Sequence, residues 1–271
     1  MLSGRWIHTV HLVMTAFLIF LILIPFVPLI LSSFSAGWRW PEVLPHTFSM
    51  RAWEYVFLKS SGTWDAIQTS VIIALLVTLI NLVLAVPAAD ALARMDFKGK
   101  RIVEGMLYAP MIIPSFVAVM GLYMTFIRLD LTESMPGVVV AHISSTLPYM
   151  IRALIVSFGT LGFQWEEQGR MLGAGRFQRF RYIVFPHILP GVVAGASLSI
   201  LVSLSQYLIT FLVGGGQVIT LPLILFPFIS GGDPAVGSAY TVLFAGVSLV
   251  LLWGMDIGLK RYYRKQITIH F

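Results

Sequence analysis

Charged and apolar positions segregate into long blocks along this chain. No Asp, Glu, Lys or Arg occurs in residues 6–38, 66–89, 105–127, 134–151, 182–232 or 234–255. Each block is near or above the roughly 20 residues that carry a helix across a ~30 Å hydrocarbon layer. The pattern therefore predicts an all-α, polytopic membrane protein with six transmembrane helices. The block 182–232 is long enough for two crossings, but Gly214, Gly215 and Gly216 interrupt it, and residues 217–230 are short and hold Pro222 and Pro227. That stretch is expected to be re-entrant or to lie at the surface. The first block follows Arg5, exceeds a signal-peptide core in length and precedes five more, so it is expected to remain as the first span.

The loop between the first two spans is the largest on its side and carries Trp38, Trp40, Trp53 and Trp64. Ser49 is expected to cap a short helix that places Trp53, Val56 and Phe57 on one face, against the bundle or the lipid headgroups. Basic residues crowd one side of the six-span arrangement: Arg5, the 94–101 loop, the 159–186 segment and the tail with Lys260, Arg261, Arg264 and Lys265. The other side holds only Arg39, Arg51, Lys59 and Arg128. Both termini are accordingly expected in the cytoplasm.

Composition narrows the function. With 58% hydrophobic and 11% charged residues and a mean hydropathy of +0.87, a water-soluble enzyme and a disordered chain are both excluded. Zero cysteines exclude disulfides, thiolate metal sites and a cysteine nucleophile. The net charge of +6 follows from the one-sided basic loops and is no sign of nucleic acid binding. No G-x-x-x-x-G-K-[ST] loop is present, and the histidines at 8, 11, 46, 142, 187 and 270 lack metal-ligand spacing, so each reads as interfacial or packed. No catalytic residue, metal or cofactor is expected. An integral-membrane enzyme would need a buried ionisable pair, and a secondary carrier an internal repeat or a midplane carboxylate; none of these is visible in the sequence.

Residues 159–186 break the apolar monotony with Glu166 and Glu167, then Gly173-Ala174, then Phe180, Ile183 and Pro186. Spacing and position resemble the EAA signature of binding-protein-dependent ABC transporter permeases. Glu167 stands at the Glu place, Gly173 and Ala174 at the Gly-Ala, Phe180 and Ile183 at the hydrophobic places and Pro186 at the Pro. Gln168 and Gly169 replace the two alanines, and Phe185 replaces a leucine. The likeness runs from about residue 26 to 264, through Ala88 to Arg94, Phe97 to Gly99, Pro110, Pro114 and Thr220 to Pro222, and is nearest the polyamine/thiamine/iron-type permeases.

The resemblance implies a type I ABC importer architecture in a prokaryotic plasma (inner) membrane, with residues 1–271 as one permease domain and 159–186 as its ATPase-coupling segment. Implied partners are a second, different permease chain, two ATP-binding subunits, an external solute-binding protein and a small polar solute. Glu166 and Glu167 are expected to begin a helix, where negative charge suits the dipole. Gly173 and Ala174 are expected to leave room for close backbone approach where the segment seats in a groove of a soluble ATPase, and Phe177, Phe180 and Tyr182 to anchor the return to the membrane.

The fifth span carries a second pattern. Gly191, Gly195, Ser199, Ser203, Gln206 and Thr210 recur at helical spacing and predict one small, polar face. Gly191 and Gly195 read as helix packing; Ser203, Gln206, Tyr207 and Thr210 read as solute-pathway lining, with Ser144, Ser145 and Tyr149 of the fourth span as further candidates. The resemblance implies that several polyamine-type relatives have an acidic pair where Ser205 and Gln206 stand, so its absence here speaks against a polycation and leaves a neutral, zwitterionic or anionic solute. Asp90 with Arg94 and Asp256 with Lys260 have i, i+4 ion-pair spacing, and Arg152 is expected to snorkel.

Overall fold

A computed structural model describes residues 2–38, 41–60 and 62–269, with side chains over 10–38, 41–60 and 62–262. Arg39 and Trp40 lie outside the described residues, and so do the side chains of Arg5, His8, Arg264, Lys265 and His270. In chain order the helices are α1 (Leu2–Leu23), α2 (Phe26–Ser33), α3 (Arg51–Glu54), α4 (Thr63–Arg94), α5 (Lys100–Ile112) and α6 (Ser115–Arg128). They continue with α7 (Met135–Leu161), α8 (Gln164–Met171), α9 (Arg176–Arg179), α10 (Phe185–Leu204), α11 (Tyr207–Gly214), α12 (Leu221–Ile229) and α13 (Pro234–Ile269). Wider π-helical turns over Tyr55–Lys59 and Phe180–Val184 extend α3 and join α9 to α10.

Among the described residues, five stretches are long and apolar enough to cross a bilayer: Val10–Ser33, Thr63–Arg94, Met135–Leu161, Arg176–Leu204 and Pro234–Tyr262. The expected third span differs. It is split into α5 and α6, which meet at an angle of 107°. Pro114 has no amide hydrogen and pushes the residue before it out of helical geometry, and Ile113 accordingly lies at φ −69°, ψ 133°. Among the described residues, counting this bent pair as one span brings the number to six. The stretch after the three glycines forms nine-residue α12, too short to cross, as expected.

The chain divides into two compact units. The first comprises Met1–Trp64 and Ile224–Gly246. Its core gathers Ala52 and Val56 of the short loop helix with Ala235, Val236, Ala239 and Tyr240 at the start of α13. Trp53 stacks on Phe57, with ring centroids 5.8 Å apart. The expected Ser49 cap is displaced by one residue: Met50 occupies the cap position, while Ser49 Oγ accepts from the Arg51 N–H at 3.2 Å. Asp233 caps α13 through the Ala235 N–H at 3.1 Å and pairs with Arg51.

The second unit, Asp65–Leu223 and Val247–Phe271, is organised by α7 against α10. Ser134 caps α7 by accepting from the Gly137 N–H at 3.2 Å, and Gly162 at φ +65° ends it. A Cβ on Gly191 would collide with the Ser157 hydroxyl and lie 2.9 Å from the Ala153 carbonyl oxygen. One on Gly195 would lie 3.1 Å from Met150 Cα. The two glycines therefore let α10 approach the α7 backbone directly. Met150, Ile151, Leu154 and Phe158 of α7 pack there with Ile188, Val192 and Ala196 of α10.

Candidate functional site

The continuous polar face expected along the fifth span is interrupted. Helix α10 ends at Leu204, Gln206 leaves helical geometry at φ −75°, ψ 89°, and α11 begins at Tyr207. Helical spacing across a break no longer means a shared face, so the pathway candidates separate into two environments.

Ser203 and Thr210 are buried, on opposite sides of the break, and His142 of α7 reaches both. Its Nδ1 lies 2.9 Å from Ser203 Oγ and its Nε2 3.0 Å from Thr210 Oγ1. Thr210 Oγ1 also donates to the Gln206 carbonyl at 2.8 Å. Next to this clamp, Asn81 of α4 donates through Nδ2 to Thr146 Oγ1 at 2.7 Å and to Ser199 Oγ at 2.9 Å. Thr146 in turn donates to the His142 carbonyl at 2.7 Å. Asn81 Oδ1 alone in this network lacks a partner among the described residues. Polar groups inside a bilayer must find internal partners, and here they tie four helices together. Of the two expectations for His142, interfacial or packed, its burial agrees with the second. Its bridging of the break is a tertiary fact with no signature in the sequence.

Ser144, Ser145, Tyr149 and Gln206 meet instead at a cavity of about 760 Å³. Its other walls come from Met106, Pro110 and Ile113 of the α5 end, and from Ser115, Val119, Gly121 and Thr125 of α6. The 107° bend makes the room, because α5 and α6 turn away from each other at Pro114. Among the described lining residues there is no Asp, Glu, Lys, Arg or His. Tyr207 is absent from this lining and stacks on Phe211 at 5.6 Å. Pro110 and Pro114, met in the sequence only as points of family likeness, lie at the bend but give no indication of which hydroxyls face the space.

In the 159–186 segment, Glu166 and Glu167 fall in the first turn of α8, as expected. Gly173 has a conformational role besides the approach to an ATPase expected of it. It lies at φ +80°, with nothing within 4 Å of where a Cβ would stand, and closes α8 with two reverse bonds, Gly173 N–H to Arg170 O and Ala174 N–H to Gly169 O. This is a Schellman cap, so glycine is required there by conformation. Within the chain the tight glycine contact is at Gly169, where a Cβ would come 2.7 Å from Ile183 Cδ1. Arg179 Nη1 donates to the Ala174 carbonyl at 2.8 Å and folds α9 back on the cap. Phe180 packs on Phe185, and Phe185 on Tyr262, at centroid distances of 6.2 and 6.1 Å. Met171, Leu172, Phe177 and Tyr182 remain exposed. Pro186 lies one residue into α10, directly after the wider π-helical turn over Phe180–Val184.

The expected i, i+4 pairs form: Arg94 Nε lies 2.6 Å from Asp90 Oδ1 and Lys260 Nζ 2.5 Å from Asp256 Oδ2. Arg152 lies over the Tyr108 ring, 5.8 Å from its centroid. No group of three or more potential metal ligands exists among the described residues.

The profile of the family described as binding-protein-dependent transport system inner membrane component matches residues 81–264. The chain is 26% identical over 247 residues to PhnV of Salmonella typhi, assigned as permease to a 2-aminoethylphosphonate transport system, covering 90% of this chain and 92% of that one. It is 29% identical over 234 residues to the spermidine/putrescine transport system permease protein PotC of Haemophilus influenzae, covering 84% and 89%. A crystallised bacterial ABC transporter involved in import of the acidic polysaccharide alginate has a chain of the same fold, with a TM-score of 0.70 at 17% identity over 97% and 98% of the two chains.

Proposed function

We propose how this chain works from one premise: it belongs to the family of binding-protein-dependent transport system inner membrane components, and is a multi-pass permease subunit of an ABC transporter. In the proposed arrangement both termini and residues 159–186 face the cytoplasm of a prokaryotic cell. The chain pairs with a second, different permease, receives solute from an external binding protein and leaves ATP hydrolysis to two partner subunits. The 159–186 segment docks those ATPases, presenting Glu167, Phe177 and the exposed Met171 and Leu172 on a frame built by the Gly173 cap, Ala174, Phe180, Ile183 and Pro186.

Solute passes along the cavity wall formed by Ser144, Ser145, Tyr149 and Gln206. The observation that carries this reading is the convergence of those four polar groups, from two separate parts of the chain, on one cavity beside the bent helix pair. Ser203 and Thr210 serve behind that wall, held by His142. The uncharged lining supports a small polar solute over a polycation, which would need negative charge to offset its lost hydration.

Single cysteines test the pathway, since the chain has none of its own. In the assembled complex, Ser145→Cys and Gln206→Cys should react with a membrane-impermeant thiol reagent at least about tenfold faster than Ser203→Cys, by the difference between open and buried side chains. Equal protection at all three positions would remove the cavity from the pathway. Uptake of labelled 2-aminoethylphosphonate and spermidine by cells expressing the complex then tests solute class, with spermidine uptake alone contradicting the uncharged-lining argument.

A further inference from the structure

We propose that Arg94 is a positioning residue that transmits movement of the coupling segment to α4 and α7, and through α7 to the cavity. The inference rests on the reading of 159–186 as the ATPase-docking segment.

Arg94 is the last residue of α4, and its side chain is only 6% exposed despite its charge. Its same-helix partner, Asp90, is 48% exposed, so that pair alone explains no burial. The second bond is the informative one: Arg94 Nη1 reaches Glu166 Oε1 at 2.5 Å, in the first turn of α8. Each charge complements the dipole of its own helix, cation at the C-terminus of α4 and anion at the N-terminus of α8. The guanidinium also lies over two rings, 5.1 Å from the centroid of Phe158 on α7 and 5.2 Å from that of Phe163 just before α8.

One planar group therefore joins three helices. A guanidinium can bind two carboxylates in its plane and stack on rings through its faces, a combination closed to lysine. Enclosure by the two rings removes screening water, so displacement of α8 works against a stiff contact rather than a solvated one. Helix α7 carries Phe158 at this node and Ser144, Ser145 and Tyr149 at the cavity. A shift of α8 on ATPase closure thus acts on the cavity wall through a single helix.

The test needs no knowledge of the solute. In the complete transporter reconstituted in vesicles, the labelling rate of Ser145→Cys is measured without nucleotide and with ATP plus vanadate. Arg94→Gln and Glu166→Gln should each reduce the nucleotide-dependent change in that rate at least about fivefold, while the ATPase subunits still co-purify and hydrolyse ATP. Asp90→Asn, which leaves the pair between helices intact, should preserve the change. If Arg94→Gln disrupts assembly, Glu166→Gln decides, because its side chain is more exposed and its loss leaves Arg94 paired with Asp90. A full nucleotide response in Glu166→Gln with ATPases bound would overturn the proposal. Failure of the ATPases to co-purify with the unsubstituted chain would overturn the docking reading and this inference with it. Equal loss in Asp90→Asn would reduce Arg94 to a structural ion pair and also count against transmission.

Discussion

Helix α7 has two very different neighbours. Against α10 it makes a seam so close that Gly191 and Gly195 leave no room for a methyl group. Towards α5 and α6 it borders an open cavity, where a Cβ on Gly121 would meet nothing within 4 Å. Both walls contain small and hydroxyl-bearing residues, yet one is a scaffold and the other a space. Small residues in a membrane helix thus permit either contact or vacancy, and the neighbouring backbone determines which.

The strongest way to break this contrast is to enlarge a glycine on each wall. Gly191→Leu meets the Ala153 carbonyl, a backbone atom with nowhere to go, and should destabilise the protein by about 1–3 kcal/mol or prevent assembly. Gly121→Leu should leave thermal unfolding in detergent within about 0.5 kcal/mol of the parent while slowing thiol labelling at Ser145→Cys. Equal destabilisation by the two would show that the cavity is closed by packing in the assembled protein.

A middle-sized effect is expected from the polar groups. His142→Leu leaves the hydroxyls of Ser203 and Thr210 without their ring nitrogens, and should cost about 1–3 kcal/mol, moderated because Thr210 keeps its bond to the Gln206 carbonyl. Ser144→Ala, on the cavity wall, should change unfolding by less than about 0.5 kcal/mol. A reversal of that order would place the structural hydroxyls on the cavity side.

The smallest effects separate two glycines of the 159–186 segment. Gly173→Ala forces a side chain into φ +80° and should cost about 1 kcal/mol, seen as faster trypsin cleavage between Arg170 and Arg176. Gly169→Ala should be nearly silent, since its only close obstacle is the movable tip of Ile183 and alanine favours the helix by roughly 1 kcal/mol. Equal cleavage in both variants would argue against the cap. A large residue at 173 would report backbone strain before it reported anything about docking.

Much of this protein was legible in its sequence. Charge-free blocks located five long spans and the region of the bent pair, because each membrane segment must satisfy its backbone and bury its apolar side chains over a fixed thickness, largely on its own. The acids at the start of α8 and the i, i+4 pairs at 90–94 and 256–260 were equally readable, since helix dipoles and helical pitch are local properties. Three features were not. The break at Ser205 and Gln206 carries no proline or glycine; His142 of α7 bridges its two sides. Ser144 and Ser203 are the same residue type on apolar helices, yet one faces a cavity and the other a histidine. Arg94 showed its partner four residues away but not Glu166. Sequence alone determined which segments enter the membrane and where their ends are charged. Only the tertiary structure decided which polar side chains are spent on holding helices together and which line the cavity, because that choice depends on how closely another backbone approaches.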